Sequence, residues 1–470
     1  MTKLQKKIFL FGSLCLFICV MFATLNNADE VAFYNFARNI AHGNLIYKDF
    51  IYICFPLYPW ITGLFLKVFG EELIVLRIFS FIVLELLMYF TIKFMQKLKI
   101  DNFANILLIM IYILICSIYE SAGYNLFVLM LVMLLMNIEF KQNKTNLTYF
   151  LMGCIIGFSI LTKHTIGLIL LFVYLIIRIF EKNENKVKNI VLSLIPISIM
   201  TIGTFIYLKI TNSVSEFIDY TFLGMKDFTR NTFTIIDCLI YENYFVSLCL
   251  IVLIALFIFV IYKIIKTKDL LMIKLFLYSL VVLSFIYPIA SNHHIFNGFY
   301  IVFIIGLYFL NNKNGSEKLK TSLNVLLNVA IIFMIIISIL MIVNVSKICN
   351  FKHFKYIQIV DEQKEEINTI IQFSKDHPNI EFVGDINKVY SIIIDRYDGI
   401  LDSAAVGNLG SRGEQALIDE IEDLNDCYFL FIRLQRKDKL DQTPIIAKKW
   451  VDDNCEFLGY LGRYRVCYKK

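Results

Sequence analysis

The sequence predicts a polytopic α-helical membrane protein of about eleven spans, with interfacial helices in its first outer loop and a small C-terminal α/β domain. Three observations carry that prediction. Hydrophobic residues make up 58% of the 470-residue chain, and its mean hydropathy of +0.68 is too apolar for a soluble protein of this length. Apolar runs of about 18 or more residues, each able to cross a hydrocarbon core of ~30 Å, recur through the first three quarters. The basic residues gather in the short loops between those runs, on one side if the spans alternate. The net charge of +6 therefore reflects topology, and no nucleic-acid partner is expected.

The spans read as Ile8–Leu25, Leu73–Phe94, Phe103–Tyr119, Tyr124–Phe140, Leu147–Leu161, Thr165–Phe180, Ile190–Ile210, Tyr244–Tyr262, Leu270–Ala290, Gly298–Leu310 and Leu323–Val345. Lys3, Lys6 and Lys7 precede the first; Lys93, Lys97 and Lys99 follow the second; Lys263, Lys266 and Lys268 follow the eighth. That side is cytoplasmic by the positive-inside rule, as is the N-terminus. The first span has no A-x-A-like cleavage site, and its apolar core exceeds the ~7–15 residues of a signal peptide, so an uncleaved span is expected. An odd number of spans places the tail outside. The expected division is a membrane domain over 1–345 and an extracytoplasmic α/β domain over 346–470, in the cell membrane.

In the tail, "VDEQKEEINTIIQFSKDHP" has helical spacing and stops before Pro378, "IEFVGD" and "CYFLFIRL" read as strands, and "SRGEQALIDEIEDL" is a helix after the glycine turn 407–413. Alternating strands and helices point to α/β. "GNLGSRG" lacks the G-x-G-x-x-G order of a dinucleotide site, so loop and helix cap is its reading. Of the eleven cysteines, most lie in apolar runs and none has metal-ligand spacing. Cys349, Cys427, Cys455 and Cys467 lie in the polar tail, where a disulfide stays open.

The chain leaves its first span into Asp29-Glu30. From Glu30 to His42, Phe33, Phe36, Ala37, Ile40 and Ala41 fall on one helical face, with Tyr34, Arg38, Asn39 and His42 on the other and Gly43 as a stop. A second helix starts at Pro56, a favoured first-turn residue, and ends at Gly70. Both suit the membrane interface, with Tyr47-Lys48-Asp49 between them.

Other ionisable residues fall at the same outer side. Glu120 lies between spans three and four, Lys163 and His164 between five and six, and His293 and His294 between nine and ten. Ionisable groups at membrane depth are costly unless they face a polar cavity, which makes each a functional candidate. A lipid-linked phosphosugar would lay its tail in the bilayer and its phosphate among Lys163, His164, His293 and His294, whose positive charge stabilises a departing phosphate. A carboxylate, Asp29 first, would take the proton of the attacking hydroxyl. Structural alternatives stand beside these roles. Asp29 and Glu120 also suit helix ends, Lys163 also suits snorkelling, Arg77 suits anchoring its span, and the histidine pair suits an ordinary polar loop.

"ADEVAFYNFARNIAHGNLIYKDF" (28–50) followed by "PLYPWITGLFLKVFGEELIVLRIFS" (56–80) resembles the first outer loop of family C glycosyltransferases, in particular the protein mannosyltransferase and aminoarabinose transferase relatives. The match covers residues 26 to 80, and the membrane half follows by span plan; "ESAGYN" (120–125) and "LTKHTIG" (161–167) look like later landmarks. The resemblance implies that Asp29 is the essential acid with Glu30 beside it, that Glu120 is the acid of the second outer loop, and that Arg77 opens the second span near the donor phosphate. It implies for Asp49 a polar contact sometimes involved with a divalent metal. Aminoarabinose transferases carry Glu-Lys near the prolines, whereas this chain has Cys54-Phe55 before Pro56, a departure that bears on the metal.

The function expected is transfer of a sugar from a polyprenyl phosphate or diphosphate, usually with inversion, to an acceptor (protein, lipid or wall polymer) at the outer face. Two alternatives come from other classes: a transporter or flippase of a lipid-linked sugar, which would bury charges deep in broken spans, and a membrane scaffold with a polymer-binding tail, which would need no acid cluster.

Overall fold

A computed structural model describes residues 3–23, 28–120, 123–141, 143–181, 185–224, 233–311, 361–384, 389–397, 399–432 and 442–470, with short pieces between 335 and 358 and at 434–435. The helices are α1 Lys3–Met21, α2 Ala28–His42, α3 Leu57–Phe69, α4 Leu73–Lys97, α5 Phe103–Tyr119, α6 Tyr124–Glu139, α7 Asn146–Thr162, α8 His164–Phe180, α9 Lys186–Ile210 and α10 Val214–Ile218. They continue as α11 Ile235–Tyr241, α12 Tyr244–Thr267, α13 Leu270–Leu283, α14 Asn292–Gly298 and α15 Tyr300–Asn311. The tail adds α16 Asp361–Asp376, α17 Val389–Ile393, α18 Ile400–Ser403, α19 Glu414–Asp423 and α20 Ile445–Asn454.

Each expected span from the first to Gly298–Leu310 coincides with a helix; Leu323–Val345 lies almost wholly outside the described residues. Among the described residues, α4, α9 and α12 are long and apolar enough to cross a membrane. The pair α14 and α15, bent by 45°, makes a fourth if counted as one span. Helices of 17 residues such as α5, α7 and α8 rise about 25 Å, slightly short of a full core. The chain is a polytopic helical membrane protein.

It divides into two compact units: Met1–Ala23, Ile78–Gly203 and Phe233–Val343 form one, and Thr24–Arg77, Thr204–Thr232 and Asn344–Lys470 the other. In the first unit, α6, α7 and α8 pack in sequence, α1 lies on α5, and α12 and α13 pack on α15. α8 shows why this is not a soluble core. It buries Ile166, Leu170, Val173 and Ile177 yet exposes Leu168, Phe172, Ile179 and Phe180. Apolar residues all round a helix belong in lipid. Toward the end of α8, buried Arg178 contacts Glu139 and Glu181 (2.6 Å), and Lys144 meets Glu139 at 3.1 Å. This charged lattice ties the ends of α6 and α8 opposite from Lys163.

The second unit pairs α2 with α3. Phe33 meets Tyr58 edge-on at 5.5 Å, Phe36 stacks on Phe50 at 5.7 Å, and a Cβ on Gly63 would stand 2.5 Å from Ile40. The tail sheet has the order β3-β4-β6-β5, with β3 Ile380–Phe382, β4 Cys427–Phe431, β5 Glu456–Leu461 and β6 Tyr464–Lys469. β3 runs parallel to β4, and the other neighbours are antiparallel. Two-residue strands β1 Ile348–Cys349 and β2 Ile357–Gln358 pair separately. The tail core of Val383, Leu401, Phe429, Phe431 and Val451 also takes in Ile51 from the first outer loop. The glycine turn is a loop and a cap: Gly407, Gly410 and Gly413 have φ of 104°, 75° and 58°, and Glu414 accepts the first N–H groups of α20. Cys427, Cys455 and Cys467 are free thiols.

The face of α2 carrying Tyr34, Arg38 and Asn39 is buried, and Arg38 is held against the tail residues Arg396 and Tyr397. One expectation changes. "SNHHIFNG" is not a loop before a straight span; it forms α14, and the bend to α15 follows at Phe299.

Candidate functional site

In the second unit, Asp29 and Glu30 open α2 with opposite surroundings. Asp29 is exposed in the first turn, where the helix dipole favours a carboxylate. Glu30 is fully buried and receives a bidentate pair from Arg77, Nε to Oε1 at 2.7 Å and Nη2 to Oε2 at 2.8 Å. Arg77, expected from the sequence beside the donor phosphate or as the anchor of its span, pairs in the structure with this neighbouring carboxylate. Such a fork fixes geometry as well as charge, and it joins the start of α2 to the start of α4. Asp49 is exposed, and its Oδ2 accepts the Leu45 N–H at 2.6 Å, closing the loop that carries Lys48. Among the described residues, no group of three or more His, Cys, Asp or Glu is placed to hold a metal ion.

In the first unit, the other candidates gather around α14. Glu120 Oε2 accepts from Asn297 Nδ2 at 2.5 Å, both residues being buried. Lys163, between α7 and α8, donates to Asn125 Oδ1 at 2.8 Å and stands 5.0 Å over Tyr124 and 5.1 Å over Phe285. His293 and His294 lie with ring centroids 4.1 Å apart, and Ser291 Oγ meets the Nδ1 of each, at 3.2 and 3.0 Å. Lys163 and His293 are both within electrostatic reach of His294. His164, buried, starts α8 directly beside Lys163.

The structure therefore brings Glu120, Lys163, His293 and His294 into one cluster, although they come from three separate inter-helix connections. Sequence reasoning missed Asn297 and Ser291, whose signal was a run of polar residues leading into an apolar helix. Asn125 was quoted within "ESAGYN" without being given a role. Chemically, the cluster offers a cation, imidazoles, an amide and a carboxylate at the ends of apolar helices.

The fold and these clusters are those of a polytopic helical membrane protein with ionisable groups gathered at helix ends. Residues 55–202 match the profile of the family described as dolichyl-phosphate-mannose-protein mannosyltransferase, and the resemblance read from the first outer loop holds. Among solved structures, the chain is similar to ArnT from Cupriavidus metallidurans crystallised bound to undecaprenyl phosphate, with a TM-score of 0.61 at 10% identity over 99% of this chain and 98% of that one. The apo crystal structure of ArnT from the same organism matches with a TM-score of 0.62 at 9% identity over the same shares. At that identity the likeness is one of fold, and it runs the length of both chains. No curated protein matches the chain in sequence.

Proposed function

We propose that the chain is a glycosyltransferase that moves a sugar from a polyprenyl phosphate or diphosphate to an acceptor hydroxyl at the outer face of the cell membrane. The observation that carries this reading is the gathering of Glu120, Lys163, His293 and His294 around α14, in a chain with the fold of a protein crystallised with undecaprenyl phosphate. In this reading the acceptor oxygen attacks the anomeric carbon, Asp29 takes its proton, and the bond from carbon to the phosphate oxygen breaks. The leaving phosphate carries away the electron pair. Lys163 and the imidazoles of His164, His293 and His294 meet its negative charge, the kind of preorganised stabilisation that lowers such barriers most. Glu120, held by Asn297, orients the cluster. Glu30 and Arg77 serve as the frame beside Asp29. The tail lies outside as an α/β domain.

The experiment is Asp29→Asn in the full chain in native membranes, with transfer measured from polyprenyl-linked sugars. Losing a general base costs on the order of 10²–10⁴ in rate. Transfer at the wild-type rate by a correctly inserted Asp29→Asn chain removes Asp29 from the mechanism.

A further inference from the structure

The tail does more to the first outer loop than cover it. Arg38, on α2, is 1% exposed. Its Nη1 donates to the Arg396 carbonyl at 3.2 Å, its Nη2 lies 3.6 Å from Asp395, and its guanidinium sits 4.8 Å over the Tyr397 ring. His42, one turn on, stacks against the same ring at 3.9 Å. The second point of grip is Glu71, just before α4. Tyr397 OH donates to Glu71 Oε2 at 3.0 Å, and His353 Nδ1 faces the Glu71 carbonyl at 3.1 Å. The Leu73 N–H donates to the His353 carbonyl at 3.0 Å, and Tyr34 OH donates to the Glu71 carbonyl at 2.5 Å. His353 Nε2 closes the ring of contacts on Asp395 at 2.9 Å, with Lys352 on the other carboxylate oxygen.

The backbone points the same way. His353 and Asp395 both have positive φ, 71° and 63°, a conformation that persists in non-glycine residues only where surrounding contacts determine it. Those contacts are the ones to Glu71 and Arg38. A buried guanidinium needs its partners, so α2 cannot shift far without the tail turn moving with it. Arg38 lies about two turns beyond Glu30 on α2, and Glu71 lies six residues before Arg77. The tail therefore grips both elements that supply the Glu30–Arg77 pair.

We propose that the turn Asp395-Arg396-Tyr397 and His353 form a clasp that positions the first outer loop, setting Asp29 through α2 and the start of α4. Tyr397, His353 and Arg38 are positioning residues. The catalytic consequence rests on the reading of Asp29 as base; the mechanical one does not.

The test compares wild type, Tyr397→Ala and Tyr397→Phe as full chains in lipid nanodiscs. Amide hydrogen exchange in Tyr397→Ala should rise about tenfold over 28–42 and 71–77 while α5 to α8 hold their protection, as expected of a local opening. Tyr397→Phe keeps the ring under Arg38 and His42 and should recover most of that protection. With polyprenyl-linked sugars extracted from native membranes, Tyr397→Ala should lower kcat about tenfold at unchanged KM, the signature of a lost transition-state alignment. Unchanged exchange over 28–42 and 71–77 overturns the clasp, and a raised KM at unchanged kcat overturns its positioning role. If the wild type transfers no sugar, the reading of Asp29 fails while the exchange arm still decides the clasp. Should Tyr397→Ala not insert, His353→Ala is read by the same criteria.

Discussion

Asp29 and Glu30 are adjacent in sequence, and the fold gives them opposite surroundings. An exposed carboxylate at a helix start can exchange protons with a substrate, whereas a buried one locked to a guanidinium cannot without breaking a fork of two hydrogen bonds. Glu30→Gln removes the charge that offsets Arg77 in a dry site, and breaking a buried pair in this way costs about 3–5 kcal/mol. The expected result is a clear fall in the detergent-solubilised melting temperature, with much of it regained in the double variant Glu30→Leu/Arg77→Leu. Asp29→Asn, by contrast, should melt with the wild type while losing transfer. Equal melting of Glu30→Gln and wild type would show that the fork contributes nothing. The sequence alone could not separate the two acids, because both belong to one helix start and only the position of Arg77, 47 residues on, tells them apart.

Helices were the most legible elements, because a long apolar run admits few other structures in a bilayer. The helix α5, Phe103–Tyr119, falls where its apolar run begins and ends. What local periodicity does not carry is burial by distant residues. Nothing in the spacing of α2 places Tyr397 against its polar face, and "SNHHIFNG" reads as a loop until Glu120 is placed against Asn297. Between helices, glycines decide how closely elements approach. A Cβ on Gly167, in α8, would stand 2.3 Å from the Ile160 backbone nitrogen and 2.4 Å from its Cα. Backbone cannot swing aside, so Gly167→Ala must push α7 and α8 apart at the hairpin that carries Lys163. Alanine gains up to about 1 kcal/mol in helix propensity, against about 1–3 kcal/mol for overpacking. Net destabilisation is expected, seen as a lower melting temperature and, on the proposed function, slower transfer from a polyprenyl-linked sugar. An unchanged or raised melting temperature would mean that the hairpin has slack, and that tight α7–α8 packing does not set Lys163.

At the scale of the whole chain, topology follows from contact rather than from counting. The tail and the first outer loop lie in one compact unit: Ile51 sits in the tail core, the Ile51 N–H donates to Ser403 Oγ at 3.1 Å, and Arg38 stacks on Tyr397. Groups in such contact share one side of a membrane. An even number of crossings between Arg77 and the tail is expected on that ground. With the one crossing expected before Asp29, the expected total is odd. On the orientation expected from the positive-inside rule, the lysine-rich connections, including the one holding Lys266 and Lys268, face the cytoplasm and the tail faces out. Single cysteines at exposed positions test this. On intact cells, a membrane-impermeant maleimide should label Lys449→Cys above the wild-type background. It should reach Lys266→Cys only after permeabilisation. The reverse pattern would put Asp29 and the tail in the cytoplasm, and labelling of both sites on intact cells would break the parity that the Arg38–Tyr397 contact demands.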